Sequence, residues 1–404
     1  MNPKIFYYLE ILLKIFIVVF FIELSYYHTL NPAGSGDEIL FINDLNFIKN
    51  YGWIAAIEKS VAVPYLLLVY PFSFIFQDHV ALRLVNVLLF ATLLFYFYKW
   101  GNIKNKLFYF YFLFLNSVGL YLSGTNDMLF AVAIVIFFNE TYKILEGKNE
   151  VKVSLMLSAL VVAFFTRELI YVYIPVVIFS MILLWKSQYH LRQKITIPAV
   201  VFAFFIVVNL PSLLKNHKIS YDNKEPNKEL KVTWAQRQYL AQLLVNEGKL
   251  ADQHHPSWEV TRAYLEAHGE NSLPKSTFGG IFFDIKLTIL EFFKDFKSSL
   301  WFSIRQTGLT VVLVFGFLLF QLFKRRISTH LYLPTVSIVL IATFSFIIIS
   351  FIEPRWLFPA FTVAMLYYSD LEFDKKLPKP FFLFHHLVLF LVMFYGTYKV
   401  LLKL

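Results

Sequence analysis

Long apolar runs alternate with short charged turns along this chain. A helix that crosses a bilayer needs about 20 apolar residues. Segments of that kind fall near 5–27, 80–98, 107–123, 126–144, 152–166, 168–185, 195–213, 306–323, 331–351, 355–369 and 381–401. The 152–166 and 355–369 runs are short, and are spans only within a bundle that buries them or thins the bilayer around them. Residues 61–76 (VAVPYLLLVYPFSFIF) are as apolar but carry Pro64 and Pro71. Proline removes a helical hydrogen bond and kinks the helix, so this stretch reads as an interfacial or re-entrant segment. The pattern predicts an all-α polytopic membrane protein of about 11 transmembrane helices.

Lysine and arginine favour the cytoplasmic side of short connections. With the N-terminus inside, the inner turns hold Lys99, Lys104 and Lys106; Lys143, Lys148 and Lys152; Lys186, Arg192 and Lys194; Lys324, Arg325 and Arg326; and Lys375, Lys376 and Lys379. The short outer turns around Gly124 and Pro354 hold few. Were residues 61–76 to cross, the 99–106 turn and its successors would lie outside. The first span reads as a retained helix and not a cleaved signal, because Glu10 and Lys14 interrupt its apolar region.

The chain therefore divides into an N-terminal transmembrane module at 1–213, with a first outer loop at 28–79, an outer helical region at 214–303, and C-terminal transmembrane helices at 304–404. In the outer region, Thr233 caps WAQRQYLAQLLVNEG, Pro256-Ser257 opens WEVTRAYLEAHG, and Gly269 can end it. Residues 278–302 mix Phe, Ile and Leu with Asp284, Lys286, Glu291, Lys294 and Lys297, which suits a helix lying in the membrane interface.

Composition agrees with lipid as the solvent. The 404 residues are 58% hydrophobic and only 16% charged, where soluble domains are about a quarter charged. The 47 Phe and 24 Tyr supply lipid-facing bulk and interfacial anchors. The absence of cysteine removes disulfides, thiol nucleophiles and Cys-ligated zinc. A net charge of +10 would suggest nucleic acid in a soluble domain. Here the charge sorts by membrane side, so no nucleic-acid partner is expected. No GxGxxG, Walker lysine or DxD motif occurs, which argues against coupling to ATP by this chain itself.

Ionisable groups are costly within a membrane bundle unless paired or solvated, so each marks a candidate site. Asp37 and Glu38 follow Gly34-Ser35-Gly36, Asp127 heads the fourth span in SGTND, Arg167 and Glu168 join the fifth and sixth, and Glu353 and Arg355 open the tenth in IEPRWLFP. On the expected topology they share the outer leaflet. There an arginine can grip a lipid phosphate and a carboxylate can act as general base. The same residues also have plain structural readings: Asp37-Glu38 as a solvated loop or helix cap, Asp127 as an N-cap, Arg167-Glu168 as an ion pair, Arg355 as a snorkelling side chain paired with Glu353. Glu23 and Arg83 read as structural, and His254-His255 as a solvated loop.

These features together resemble the polytopic GT-C fold glycosyltransferases that use lipid-linked sugars, including protein O-mannosyltransferases and lipid A aminoarabinose transferases. The first outer loop, GDEILFINDLNFIKNYGW at 36–53, resembles that family's acidic pair, aromatic stretch and glycine. VPYLLLVYPFSFIFQDHVALRLVN is similar to its proline-containing juxtamembrane helix followed by an arginine, here Arg83. Asp127, the Thr166-Arg167-Glu168 turn, and the run from Glu353 to Pro359 match later motifs in order. The chain departs from the pattern in having a single proline at Ala62-Val63-Pro64 and Trp356 where a tyrosine is usual. The resemblance covers nearly the whole chain except 214–303.

The resemblance implies an inverting transfer of a sugar from a polyprenyl-phosphate donor to a hydroxyl or amine on a lipid, glycan or protein acceptor. Asp37 would be the base, with Glu38 as neighbour or alternative. Arg167 and Arg355 would hold the leaving phosphate, with Asp127, Glu168 and Glu353 supporting it or holding a divalent metal. Richness in Phe, Ile, Lys and Asn points to an AT-rich bacterial genome, hence an inner (plasma) membrane with the site facing the periplasm or exterior. Two other classes are open to the same sequence. One is a polymerase or ligase of lipid-linked polysaccharide, which would leave the GDE turn idle. The other is a transporter, against which stand the lack of an internal repeat and the clustering of charge at one surface.

Overall fold

The structure is a computed structural model that describes residues 3–148, 150–187, 195–222 and 230–403. Regular structure among these residues is helical throughout. The helices are α1 (Pro3–Thr29), α2 (Glu38–Lys59), α3 (Val63–Val69), α4 (Asp78–Trp100), α5 (Leu107–Asn116), α6 (Asp127–Leu145), α7 (Val153–Thr166), α8 (Ile170–Lys186) and α9 (Thr196–Asn216). After these come α10 (Trp234–Asn246), α11 (Trp258–His268), α12 (Thr277–Phe283), α13 (Ile285–Thr307), α14 (Thr310–Phe323), α15 (Tyr332–Ser345), α16 (Phe358–Phe373) and α17 (Lys379–Leu401). Four of them, α4, α6, α9 and α17, are each long and apolar enough to cross a bilayer, and α5, α7, α8, α14 and the segment ending in α15 are shorter apolar helices. The turn bearing Arg192 and Lys194 lies outside the described residues.

The 61–76 stretch does not form one helix. Pro64 sits in the first turn of α3, where its missing N–H is no loss, and a short 3₁₀ turn follows Pro71. Two expected spans break within their apolar runs. The 107–123 run stops at Asn116, whose amide bonds back to the Phe112 carbonyl at 2.8 Å while the Ser117 hydroxyl bonds to Phe114 O at 2.6 Å. Such back-bonds compete with helix propagation. Gly119 then takes a left-handed conformation against His28, where a Cβ would lie 2.5 Å from the ring. The 331–351 run ends as a helix at Ser345, and Ile348 joins a core with Val232, Tyr239, Leu240, Leu265 and Leu273.

The chain forms two compact units. The first comprises 1–222, 303–338 and 358–404, and the second 223–302 and 339–357. In the first, α6 and α16 are buried almost all round. Around α6 pack α4, α7, α8 and α16; α1 lies against α5 and α17, and α7 against α9. Helices that are apolar on every face belong at the centre of a bundle or in lipid, which accounts for the sequence of α6, DMLFAVAIVIFFNETYKIL. Its polar residues are satisfied internally: Glu140 accepts from Lys143 at 2.8 Å, from Tyr96 at 2.7 Å and from the Lys152 N–H at 2.7 Å.

The second unit bears out the capping signals. Thr233 Oγ1 accepts from Gln236 N at 3.2 Å while Gln236 Oε1 accepts from Thr233 N at 2.9 Å, a reciprocal box at the start of α10. Ser257 caps α11, and Gly269 closes it at φ 97° with its N–H on Leu265 O. Phe282, Ile285, Leu290, Phe293 and Trp301 of α12 and α13 are exposed, in keeping with an interfacial helix.

Candidate functional site

In the first unit, four segments far apart in sequence meet at one end of the bundle. The loop after α1 turns through Gly34 and Gly36, both at positive φ, and delivers Asp37 and Glu38 to the start of α2. Glu38 is buried and holds three donors: Arg83 Nε at 2.7 Å, Arg83 Nη2 at 2.8 Å and Gly34 N at 2.8 Å. The remaining reach of the Arg83 fork goes to the carbonyls of Asn31 and Pro32, each at 3.1 Å. Arg83 thus ties the 31–38 turn to α4 by a bidentate, charge-assisted pair.

One turn along α4, Asn86 donates to the carbonyls of Ser123 and of Thr125, the latter at 2.9 Å. This fixes the SGTND turn beside the first pair. Gly124 in that turn approaches Glu38 so closely that a Cβ would lie 2.4 Å from Oε1. A side chain at this position would force the Glu38 carboxylate to shift. Three residues on, Asp127 opens α6 and is ion-paired with Arg167, which follows α7, and it accepts from Thr125 Oγ1 at 2.8 Å. Asn126 ties the same turn to the Thr166 carbonyl at 3.1 Å. Asp127 and Arg167 are both buried.

Of the sequence-derived candidates, Glu38, Asp127 and Arg167 therefore come together with Asp37 next to them. Asp37 is half-buried and its side chain does not cap α2. Glu168 is exposed beside Arg167. Glu353 and Arg355 belong to the second unit, where they pair with each other. Among the described residues, no three His, Asp or Glu side chains converge as a metal site. His254 and His255 lie near Ser350, with His255 Nδ1 at 3.4 Å from its hydroxyl.

The sequence singles out Arg83 but not Asn86. Arg83 was legible as structural, but its partner, 45 residues away, was not. Asn86 had a usable signal, since Arg83 and Asn86 are the polar pair at helical spacing in ALRLVNVLLF. Asp44, elsewhere in the same α2 as Glu38, is a further perturbed carboxyl. Burial, offset by Lys59 and reinforced by Asp222, raises its pKa from 3.8 to about 7. A carboxyl whose folded pKa is raised favours the folded state at low pH and loses that advantage as pH rises through the folded value. Stability should therefore fall between about pH 4 and 7 through this group and level off above. Asp44→Asn should raise the thermal midpoint at pH 8 and leave it unchanged at pH 4; a gain of equal size at both would show that ionisation of Asp44 is not the cause.

The opposite end of this unit gathers the basic turns. Lys143 donates to Trp100 O at 2.8 Å, Lys104 and Lys376 lie 3.6 and 3.0 Å from Asp374, and Lys148 sits over the Tyr142 ring at 5.0 Å. The Glu38–Arg83 and Asp127–Arg167 pairs lie at one end and this lysine cluster at the other. Comparison of the chain with protein-family profiles, with curated proteins and with solved structures finds no match, so any family reading stands on the motifs and geometry of this chain.

Proposed function

We propose that this chain is a GT-C-like inverting glycosyltransferase, with about eleven crossings, that moves a sugar from a polyprenyl-phosphate donor to an acceptor hydroxyl or amine at the outer face of a bacterial inner membrane. One observation carries the reading: the Glu38–Arg83 and Asp127–Arg167 pairs, brought from four separate segments, flank the turn that presents Asp37. Glu38 holds that turn through Arg83 and Gly34, and Asp37, half-buried beside it, is the proposed base. In the proposed step Asp37 takes the acceptor proton, the acceptor oxygen or nitrogen bonds to the anomeric carbon, and the bond from that carbon to the phosphate oxygen breaks with inversion. No second carboxylate is required, because a single displacement forms no covalent intermediate. Arg167 presents five donors and can share its fork between Asp127 and a phosphate oxygen, offsetting charge on the departing phosphate. The proposal is built on the first unit.

The activity test is a panel of labelled polyprenyl-phosphate sugars offered to the purified protein. Saturable binding of one member, with release of polyprenyl phosphate on addition of an acceptor, is expected. Failure of every member to bind would sink the reading. Orientation is tested separately, and the cysteine-free chain makes this simple. Gln77→Cys, at an exposed position before α4, should react with an impermeant maleimide from outside only. Reaction solely from the cytoplasm would overturn the placement of 61–76 as a non-crossing segment.

A further inference from the structure

The basic end of the first unit holds an open pocket of about 560 Å³ whose lining includes Arg326, His330 and Lys376 together with Phe317, Phe320 and Ile327. Its construction follows from how α14 ends. Arg325 takes a left-handed conformation at φ 54°, Arg325 N bonds to Leu322 O, and Arg326 N bonds to Gln321 O at 2.9 Å. This is the six-residue closure that stops a helix and turns the chain, and it sets Arg326 beside the last turn. Phe317 and Phe320, three residues apart, share a face of that helix. Ile327 is 79% exposed.

The polar side of the pocket is cationic. Lys376 donates to His330 Nε2 at 2.9 Å, so Nδ1 carries the ring proton and faces Tyr142 OH at 3.1 Å and Glu146 at 3.4 Å. Lys376 also meets Asp374 at 3.0 Å. No carboxylate lines the pocket itself, and Arg326 makes no side-chain ion pair among the described residues. A cationic fork beside an apolar wall, at the point where an apolar helix ends, matches an amphiphile with an anionic head and a hydrocarbon tail.

We propose that this pocket binds the phosphate group of an anionic phospholipid, its acyl chain lying along Phe317, Phe320 and Ile327. The proposal rests on the membrane reading and is independent of sugar transfer. It is tested on the full-length protein in detergent, titrated with phosphatidylglycerol, with phosphatidylcholine, or with inorganic phosphate, following the thermal midpoint. Phosphatidylglycerol should raise the midpoint saturably and phosphatidylcholine should not. Arg326→Gln with Lys376→Gln should weaken the apparent affinity by about tenfold or more, as loss of charge-assisted contacts requires. Lys324→Gln with Arg325→Gln removes the same charge outside the lining and should leave the affinity unchanged. Equal loss in both double variants would mean diffuse attraction and overturn the site. Inorganic phosphate matching the lipid's effect would overturn the lipid as ligand. Should the lining variant fail to fold, lipid co-purified with the wild-type chain decides the matter: absence of bound anionic phospholipid by mass spectrometry would reject the proposal.

Discussion

Asp37→Asn is expected to lower turnover by about 10²-fold or more while leaving donor binding and thermal stability near wild type. The amide keeps the size and hydrogen-bonding reach of the carboxylate but cannot accept the acceptor's proton. Its neighbour gives the contrast. Glu38 is buried and holds two nitrogens of Arg83, so Glu38→Gln removes the counter-charge of a half-buried guanidinium, and stability should fall. Side by side, turnover should fall without a stability change in the first variant, and stability should fall in the second. Activity against a labelled donor and thermal unfolding in detergent measure the two. If Asp37→Asn turns over normally while folded Glu38→Gln is inactive, the base is Glu38. If both retain activity, the acid turn is not catalytic and the glycosyltransferase reading loses its main support.

The structure also shows what a sequence of this kind can carry. Helix starts and stops in the second unit were legible because the caps are local: Thr233 and Gln236 are three residues apart, and Gly269 follows its helix directly. The apolar segments were legible because lipid or a bundle interior demands them. Their breaks were not. The helices end at Asn116 and Ser345 inside runs that are apolar overall, and the chain there meets packing partners from distant segments, His28 for Gly119 and the Val232 core for Ile348. For the candidate site, residue types and order were visible, but pairing was not. Sequence allowed Arg167 to pair with adjacent Glu168; the fold gives it Asp127, 40 positions earlier, because the α6 N-terminus and the α7 C-terminus lie at the same end of an antiparallel pair. Glu38, read as an alternative base, proves to be the anchor of its own turn for the same reason: its partner comes from α4.

That pairing sets up the second large effect. Asp127 and Arg167 are both buried, so Arg167→Ala strands a carboxylate and Asp127→Ala strands a guanidinium, and each should destabilise by about 3–5 kcal/mol. Removing both charges in Asp127→Asn with Arg167→Gln should cost much less than the sum of the single changes, since neither partner is left charged and alone. Donor affinity separates structure from chemistry. If Arg167 also meets the donor phosphate, the double variant recovers stability but still binds the polyprenyl-phosphate sugar about tenfold to a hundredfold more weakly, the worth of a charge-assisted contact at about 1.5–3 kcal/mol. If Arg167 serves only to neutralise Asp127, affinity returns together with the thermal midpoint. Arg167→Lys supplies the third point: it keeps the charge against Asp127 but loses the planar fork that spans two acceptors. Stability held near wild type with affinity reduced assigns Arg167 to phosphate as well as to Asp127; both held, or both lost together, confines it to the ion pair.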